Sequence, residues 1–320
     1  MDMEDQLNPA QQEVLELLGA SRDQRPTFDD GLRTELRYEL EQGLAPVIER
    51  LPRDENLFIN KFDLHAVHGC EAKFLHEREE RFEWTVPRAR GSVTHKAVEL
   101  SVHWRRGLIP LDLVDEALAR LEQAETGFGE WLQAIDEADR AELRADCGDR
   151  VTKFLESFPP LKTRWRPVTE SRQRAELLDQ RVVLNGKVDL SLGSADGLVA
   201  GKVLIDLKTG RSSPEHVQDL RFYALLETMR VGTPPRRVAT YYLDQGRPMA
   251  EDTTEAILDS TVARVIGGAE KMVNLTQGLV MTTKRPSLSC RWCPLRDSCE
   301  EGRRFLADDD ERMDVYETTD

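Results

Sequence analysis

The chain contains no apolar run long enough to span a bilayer, no glycine-rich phosphate loop and no internal repeat, and it has only five cysteines in 320 residues. The first absence argues against a membrane-spanning helix. The second excludes a P-loop ATPase, although Asn8-Pro9-Ala10-Gln11-Gln12 faintly resembles a helicase glutamine motif; Asn8 as N-cap with Pro9 at the first helical position explains that segment. The opening MDMEDQLNPAQQ also lacks a basic segment followed by an apolar one, so the expected compartment is a reducing cytoplasm. Base is scarce as well. Lys and Arg total 44 against 59 Asp and Glu, a net charge of −15, which is unfavourable for a nucleic-acid binder unless the acid is unevenly placed.

It is unevenly placed. Acid concentrates before Glu55 and in the tail ADDDERMDVYETTD from Ala307, which reads as disordered. Between them lie local groups of base: Arg164-Trp165-Arg166, Lys284-Arg285, Arg291, Arg296 and Arg303-Arg304. They are either solubilising surface charge or the lining of a groove for a polyanion.

The most informative segment is Asp206-Leu207-Lys208-Thr209-Gly210, which follows the apolar run Val203-Leu204-Ile205. That run predicts a buried strand, on which Asp206 and Lys208 share one face and Leu207 takes the other. A second strand is predicted over Arg181–Leu192, with turn residues from Gly193 to Gly197. Folding the strands together sets Asp189 opposite Asp206. Two carboxylates and a lysine at one point on a sheet suit a divalent cation and a phosphate. Asp189 and Asp206 are the expected ligands, with the carbonyl of Leu207 as a third, while Lys208 would orient water and steady developing charge. Glu170, near the end of a short predicted strand from Arg166, is a weaker candidate ligand; an exposed glutamate is the plain alternative.

Helices are predicted over Ala10–Leu18, Thr27–Leu51, Val93–Trp104, Leu111–Phe158, Pro214–Val231 and Thr254–Gly278, with a further strand at Ala239–Leu243. Strands punctuated by helices predict an α/β fold with a mixed sheet. The expected organisation is a helical region at 1–59, a main domain at 60–305 and an acidic tail at 306–320.

Cys290, Cys293 and Cys299 form a tight C-x2-C-x5-C array. An odd, closely spaced set points to metal rather than disulfides, and it needs a fourth thiolate from Cys70 or Cys147. Cys147 lies in a helical pattern where a half-buried thiol is the default. Zinc sites usually pair two short knuckles, whereas an iron–sulfur cluster tolerates scattered ligands, so the spacing favours a cluster, with zinc as the alternative.

Together these residues resemble the PD-(D/E)XK nuclease superfamily, and within it the RecB-type branch that carries an iron–sulfur cluster, such as the AddB nuclease domain and the CRISPR-adaptation nucleases. The resemblance rests on Gly91-Ser92-Val93-Thr94-His95, on Gly186 to Asp189, on Asp206 to Gly210, and on the order of Cys70, Cys290, Cys293 and Cys299. It departs at the helical Q-x-x-x-Y motif: the tyrosine is Tyr223, but the residue four earlier is Asp219, with Gln218 one place off. The resemblance implies a Mg²⁺- or Mn²⁺-dependent DNA nuclease acting on single strands or ends. His95, Asp189, Asp206 and Lys208 would be catalytic, and His95 would join the metal ligands. Tyr223, Asp219 and Gln218 would contact substrate, with core packing the alternative for Tyr223. Cys70, Cys290, Cys293 and Cys299 would hold a [4Fe–4S] cluster, with zinc as the alternative. DNA, a helicase or a defence complex are the implied partners. A non-catalytic nucleic-acid-binding scaffold is the rival reading, against which stand the intact His95, Asp189, Asp206 and Lys208.

Overall fold

The computed structural model describes residues 7–317 apart from 81, 105, 106, 211 and 214, and of 311–317 the backbone alone. Pro214, expected at the start of a helix, lies outside the described residues. The elements in chain order are α1 Pro9–Leu18, α2 Leu32–Ile48, β1 Leu57–Ile59, α3 Lys61–Gly69, α4 Glu71–Glu79, α5 Val86–Val102, α6 Pro110–Glu122, α7 Gly127–Ala134 and α8 Glu137–Ser157. They continue with β2 Val168–Leu177, β3 Val182–Leu192, β4 Val203–Lys208, α9 His216–Val231, β5 Arg237–Tyr242, β6 Arg247–Asp252, α10 Glu255–Thr276 and α11 Glu300–Glu317. This is an α/β fold built on a mixed sheet flanked by helices.

Two compact units are present: Met1–Tyr38 with Glu83–Ala175 and Asn185–Thr261, and Glu39–Phe82 with Glu176–Leu184 and Val262–Asp320. The division differs from the expected 1–59, 60–305 and 306–320. The first helical residues pack with the sheet, because Val14 and Leu18 of α1 are buried with Phe154, Phe158, Val203 and Ile205. The acidic stretch expected to be a disordered tail is helical backbone as far as Glu317, continuing α11.

In the first unit β3 pairs antiparallel with β4 (Leu190↔Ile205, Leu192↔Val203), β4 parallel with β5, and β5 antiparallel with β6. β2 pairs with β3 and runs ten residues, longer than the short strand expected. Alternation sorts the side chains: Leu190, Val203, Ile205 and Leu207 enter the core shared with α1 and α8, leaving Asp206 and Lys208 on the other face. A second core forms where α5 to α8 pack, and it contains Val93, Ala97 and Leu100 of α5 at helical spacing, with Leu143, Cys147 and Val151 of α8. α5 begins at Val86, seven residues earlier than expected, with Pro87 in its first turn. The single helical stretch expected from Leu111 to Phe158 is three helices. Buried Glu227 on α9 sits at the centre of a polar network, taking bonds from Lys202 at 2.6 Å, Gln173 at 2.8 Å and Arg230 at 2.9 Å.

In the second unit β1 pairs parallel with Val182–Leu184. Cys70 is the joint between α3 and α4, capping the end of one and the start of the other. Glu71 next to it accepts from Lys271 Nζ at 2.9 Å, Thr283 N at 2.9 Å and Thr283 Oγ1 at 2.7 Å, anchoring the segment that leads into the later cysteines. Among the described residues, no helix is long and apolar enough to cross a membrane.

Candidate metal and catalytic centre

Three elements of the first unit bring their polar residues to one place. β3 carries Asp189 and β4 carries Asp206 and Lys208; continuing the printed register by one residue sets the two acids opposite each other. Asp189 is 7 % exposed and Asp206 1 %. Asp189 Oδ2 accepts from the backbone N–H of Leu207 at 2.7 Å, which fixes its carboxylate across the strand pair. α5 delivers His95, whose Nδ1 lies 3.3 Å from Asp189 Oδ1. Val93 and Ala97 of this helix bury one stripe and Val98 turns toward the sheet core, and position 95 lies about 60° round the helix from Val98, on the side away from that stripe.

Glu170 on β2 completes the set. Among the described residues, His95, Glu170 and Asp189 are the one group of three or more His, Cys, Asp or Glu whose ligand atoms lie within 4.8 Å of one another. Glu170 adopts φ 53°, a left-handed conformation uncommon for a non-glycine residue inside a strand. Such strain persists where the surroundings enforce it, and here it accompanies a carboxylate that turns toward His95 and Asp189 and pairs with Lys187.

The electrostatics follow from this crowding. Burial disfavours the charged ring of His95, but Asp189, through its charge and its hydrogen bond, outweighs that effect with help from Asp206 and Glu170, so the pKa of His95 is raised. Lys208 Nζ lies 2.9 Å from Asp206 Oδ2 and 3.2 Å from Asp219 Oδ2, and is held between the two. The donor set of carboxylate oxygens and one imidazole fits Mg²⁺ or Mn²⁺, the imidazole shifting preference toward manganese.

The helix α9 carries the three residues expected to contact substrate, and for Tyr223 its burial matches the core packing given as the alternative. Tyr223 is 2 % exposed and packs against the bare backbone of Gly186, where an added Cβ would lie 2.6 Å from its ring; a ring so enclosed is core, not a platform for stacking a nucleotide. Asp219 faces the site as the second counter-charge of Lys208. Gln218 is half-buried one position round the helix, and no hydrogen bond from it to His95, Asp189, Asp206 or Lys208 occurs among the described residues.

Two residues near the site carry no signal in the sequence. His216 shares an Nδ1···Oη bond of 3.1 Å with Tyr242, the residue paired with Lys208 across β4 and β5. Burial and then the charge of Lys208 lower its pKa against the opposing pull of Asp219 and Asp206. Arg150 on α8 reaches the carbonyl of Thr209 at 3.4 Å and pairs with Asp244 at 2.9 Å, tying the helix to the end of β4. Only the fold reveals either, since neither belongs to a short motif and Arg150 comes from distant sequence.

In the second unit Cys70, Cys290, Cys293 and Cys299 line one cavity of about 140 Å³. Backbone N–H groups of Ser287 and Gly302 point at Cys290 Sγ and Cys299 Sγ, each at 3.4 Å. Cys147 is elsewhere, fully buried in the helical core of the first unit, its thiol pushed up to about 11 by burial. Of the bases here that were either surface charge or the lining of a groove, three are paired: Lys284 with Glu301, Arg291 with Asp309 and Asp310, and Arg304 with Glu300.

Comparison with known proteins bears on this geometry. No curated protein matches the chain. A crystal structure described as "Putative exonuclease" from Eubacterium rectale is similar at a TM-score of 0.42 and 11 % identity, covering 78 % of this chain and 88 % of its own. A second, described as SSO0001, reaches a TM-score of 0.36 at 15 % identity, covering 86 % of this chain and 99 % of its own. The family model of the PD-(D/E)XK nuclease superfamily matches residues 63–300, well over half of the chain and the whole of the site described above, and the chain belongs to that superfamily.

Proposed function

We propose that this protein is a Mg²⁺- or Mn²⁺-dependent nuclease that hydrolyses phosphodiester bonds of DNA, with single strands or ends as its substrates. The observation that carries the reading is the meeting of His95, Glu170 and Asp189 within 4.8 Å, beside the Asp206–Lys208 pair. His95, Asp189, Asp206 and the carbonyl of Leu207 would hold the cation, with Glu170 as a further carboxylate. When bound, the cation would polarise the scissile phosphate and lower the pKa of water.

The chain's own residues do the rest. Lys208 holds its ammonium beside the acids, where it orients the attacking water and stabilises charge on the phosphate oxygens. Asp219 keeps that ammonium aimed, because a lysine beside one carboxylate alone has more freedom to swing. The bond from Leu207 N–H fixes the Asp189 carboxylate in direction. His95 must lose its proton to act as a ligand, so Asp189, which favours that proton, makes metal and proton compete for one position.

The test is digestion of labelled single- and double-stranded DNA with each metal, with chelator and with Asp206→Ala as controls. A well-folded protein that leaves every substrate intact with both metals would overturn the proposal and favour a non-catalytic role.

The cysteine cavity supports a second assignment, a structural [4Fe–4S] cluster on Cys70, Cys290, Cys293 and Cys299. Four thiols around a common space argue for one bound centre. The peptide N–H groups at Cys290 and Cys299 suit the sulfur-directed hydrogen bonds that such clusters use. Iron and sulfide analysis of anaerobically purified protein decides it: Cys70→Ala should lose iron and Cys147→Ala should retain it, and stoichiometric zinc without sulfide would sink the assignment.

A further inference from the structure

A second cavity in the first unit, about 590 Å³, lies away from the metal-binding residues. It opens beside Leu192 at the end of β3 and Val203 at the start of β4, about 10 Å of strand from the acids at roughly 3.3 Å per residue. Leu192 and Val203 belong to the α1 side of the sheet, opposite the face that carries Asp206 and Lys208.

Four arginines line this cavity: Arg25, Arg164, Arg166 and Arg236. Among the described residues none of the four forms an ion pair. The one acid in the wall, Asp196, is already paired with Arg22. Arg236 is only 6 % exposed; one end of its guanidinium donates to the carbonyl of Leu18 at the close of α1, while its Nε is buried without a hydrogen-bond partner. The Nε of Arg25 is buried and unpartnered too. Burial first, then the charges of Arg237 and Arg25, pull Arg236 down to about 10, so it keeps its charge at neutral pH.

A chain with fifteen excess negative charges has acids to spare, yet sets none in an ion pair with these guanidinium groups; Asp252, which acts on Arg236 through its charge, is itself paired with Arg237. Buried charge without a counter-charge is costly, and the cost falls when an anion arrives. The backbone is shaped to permit the arrangement. Gly201 lets Arg25 lie against the chain, because a Cβ there would come within 3.0 Å of its Nη1 and would overlap the carbonyl of Ser194. The N–H of Gly193 donates to the carbonyl of Trp165 at 2.6 Å, holding the Arg164-Trp165-Arg166 segment over the strand ends.

The walls differ in character. Half-buried Trp165 and the apolar Leu15 and Phe158 offer surface to a flat ring, while the arginines offer fork-shaped donors to phosphate oxygens. The volume falls within the usual range of small-ligand sites, about 300–1,000 Å³. We propose that this cavity is a binding site for a nucleoside phosphate, either a free nucleotide or the phosphorylated end of a nucleic-acid strand, separate from the catalytic centre. The site does not depend on the chain being an active nuclease.

Titration of the full-length protein in chelator tests it, followed by calorimetry and tryptophan fluorescence. The probes are dATP, pyrophosphate, deoxyadenosine and a 5′-phosphorylated tetranucleotide. dATP should bind more tightly than either pyrophosphate or deoxyadenosine, and its fluorescence change should vanish in Trp165→Phe. The double variant Arg164→Glu/Arg166→Glu, whose side chains are exposed, should weaken binding by about tenfold or more, the equivalent of losing a charge-assisted contact. Arg25→Glu should act in the same direction, and Asp206→Ala should leave dATP binding unchanged. Tighter binding of the tetranucleotide than of dATP assigns the strand end as the source, and the reverse assigns the free nucleotide. Absence of any binding, pyrophosphate matching dATP with no effect of Trp165→Phe, or binding lost in Asp206→Ala but kept in the arginine variants would each overturn the proposal.

Discussion

Gly186 lies directly beneath the ring of Tyr223, and a methyl group at position 186 would stand 2.6 Å from Tyr223 Cε1. The residue three before Asp189 is thus small because a helix rests on it. Gly186→Ala should force the ring or the strand aside and destabilise the protein by about 1–3 kcal/mol, as overpacking does. Urea unfolding measures this, and a variant as stable as the parent would show that α9 shifts freely over β3.

Lys208 offers the sharpest test of the charged face. Lys208→Ala should reduce cleavage by about 10²–10³-fold, the range seen when one donor to a developing oxyanion is removed, with the fold retained. Asp219→Asn should give a smaller loss of rate at unchanged metal affinity, because it holds the ammonium of Lys208 rather than the cation. Equal metal affinity and equal rate in Asp219→Asn would reduce that aspartate to surface charge.

His95 predicts opposite pH responses for stability and for metal binding. Its pKa is raised above 6.5 in the metal-free fold, so the stabilising pair with Asp189 is fully present below that value and is lost as pH rises through the folded pKa. Metal-free protein should therefore lose part of its stability on going from below 6.5 to alkaline pH, and His95→Gln should flatten that slope. Mn²⁺ affinity should rise over the same interval as the proton leaves. Calorimetry of both proteins across pH checks it; parallel slopes in the two would remove His95 from the account.

Glu227 holds three partners inside the first unit. Glu227→Ala should cost about 3–5 kcal/mol, because Lys202 and Arg230 are left facing each other without a counter-charge. The measurement is urea unfolding, with Asp252→Ala, an exposed acid paired to Arg237, as the comparison expected to cost far less.

The acids on β3 and β4 were legible in the sequence because strand alternation and turn glycines are local signals. The same holds for Asn8 as N-cap with Pro9 at the first helical position, and for the helical periodicity within Thr27–Leu51 that gives α2. β1 was not legible, since three residues, Leu57–Ile59, make too short a pattern to stand out. Nor was the helical run of α11 through an acidic stretch, where composition suggested disorder but pairing of Asp309 and Asp310 with Arg291 offsets part of the charge. At the site, Glu170 reaches His95 and Asp189 through a backbone conformation that residue type does not predict, and Asp219 finds Lys208 only once α9 has docked. The arginine-lined cavity was legible only as a basic triplet around Trp165, since Arg25 and Arg236 join it from far along the chain.

The register of β3 against β4 has a consequence for how the protein can fail. Leu190, Ile205 and Leu207 are buried on one face of the pair, and Asp206 and Lys208 stand on the other. Slipping either strand by one residue would exchange the faces, driving acid into oil and oil toward α9. A molecule that has sequestered its greasy side has therefore already presented its reactive one, and a mispaired molecule loses its shape and its chemistry together. Partial assembly should accordingly leave no stray, unregulated hydrolase behind.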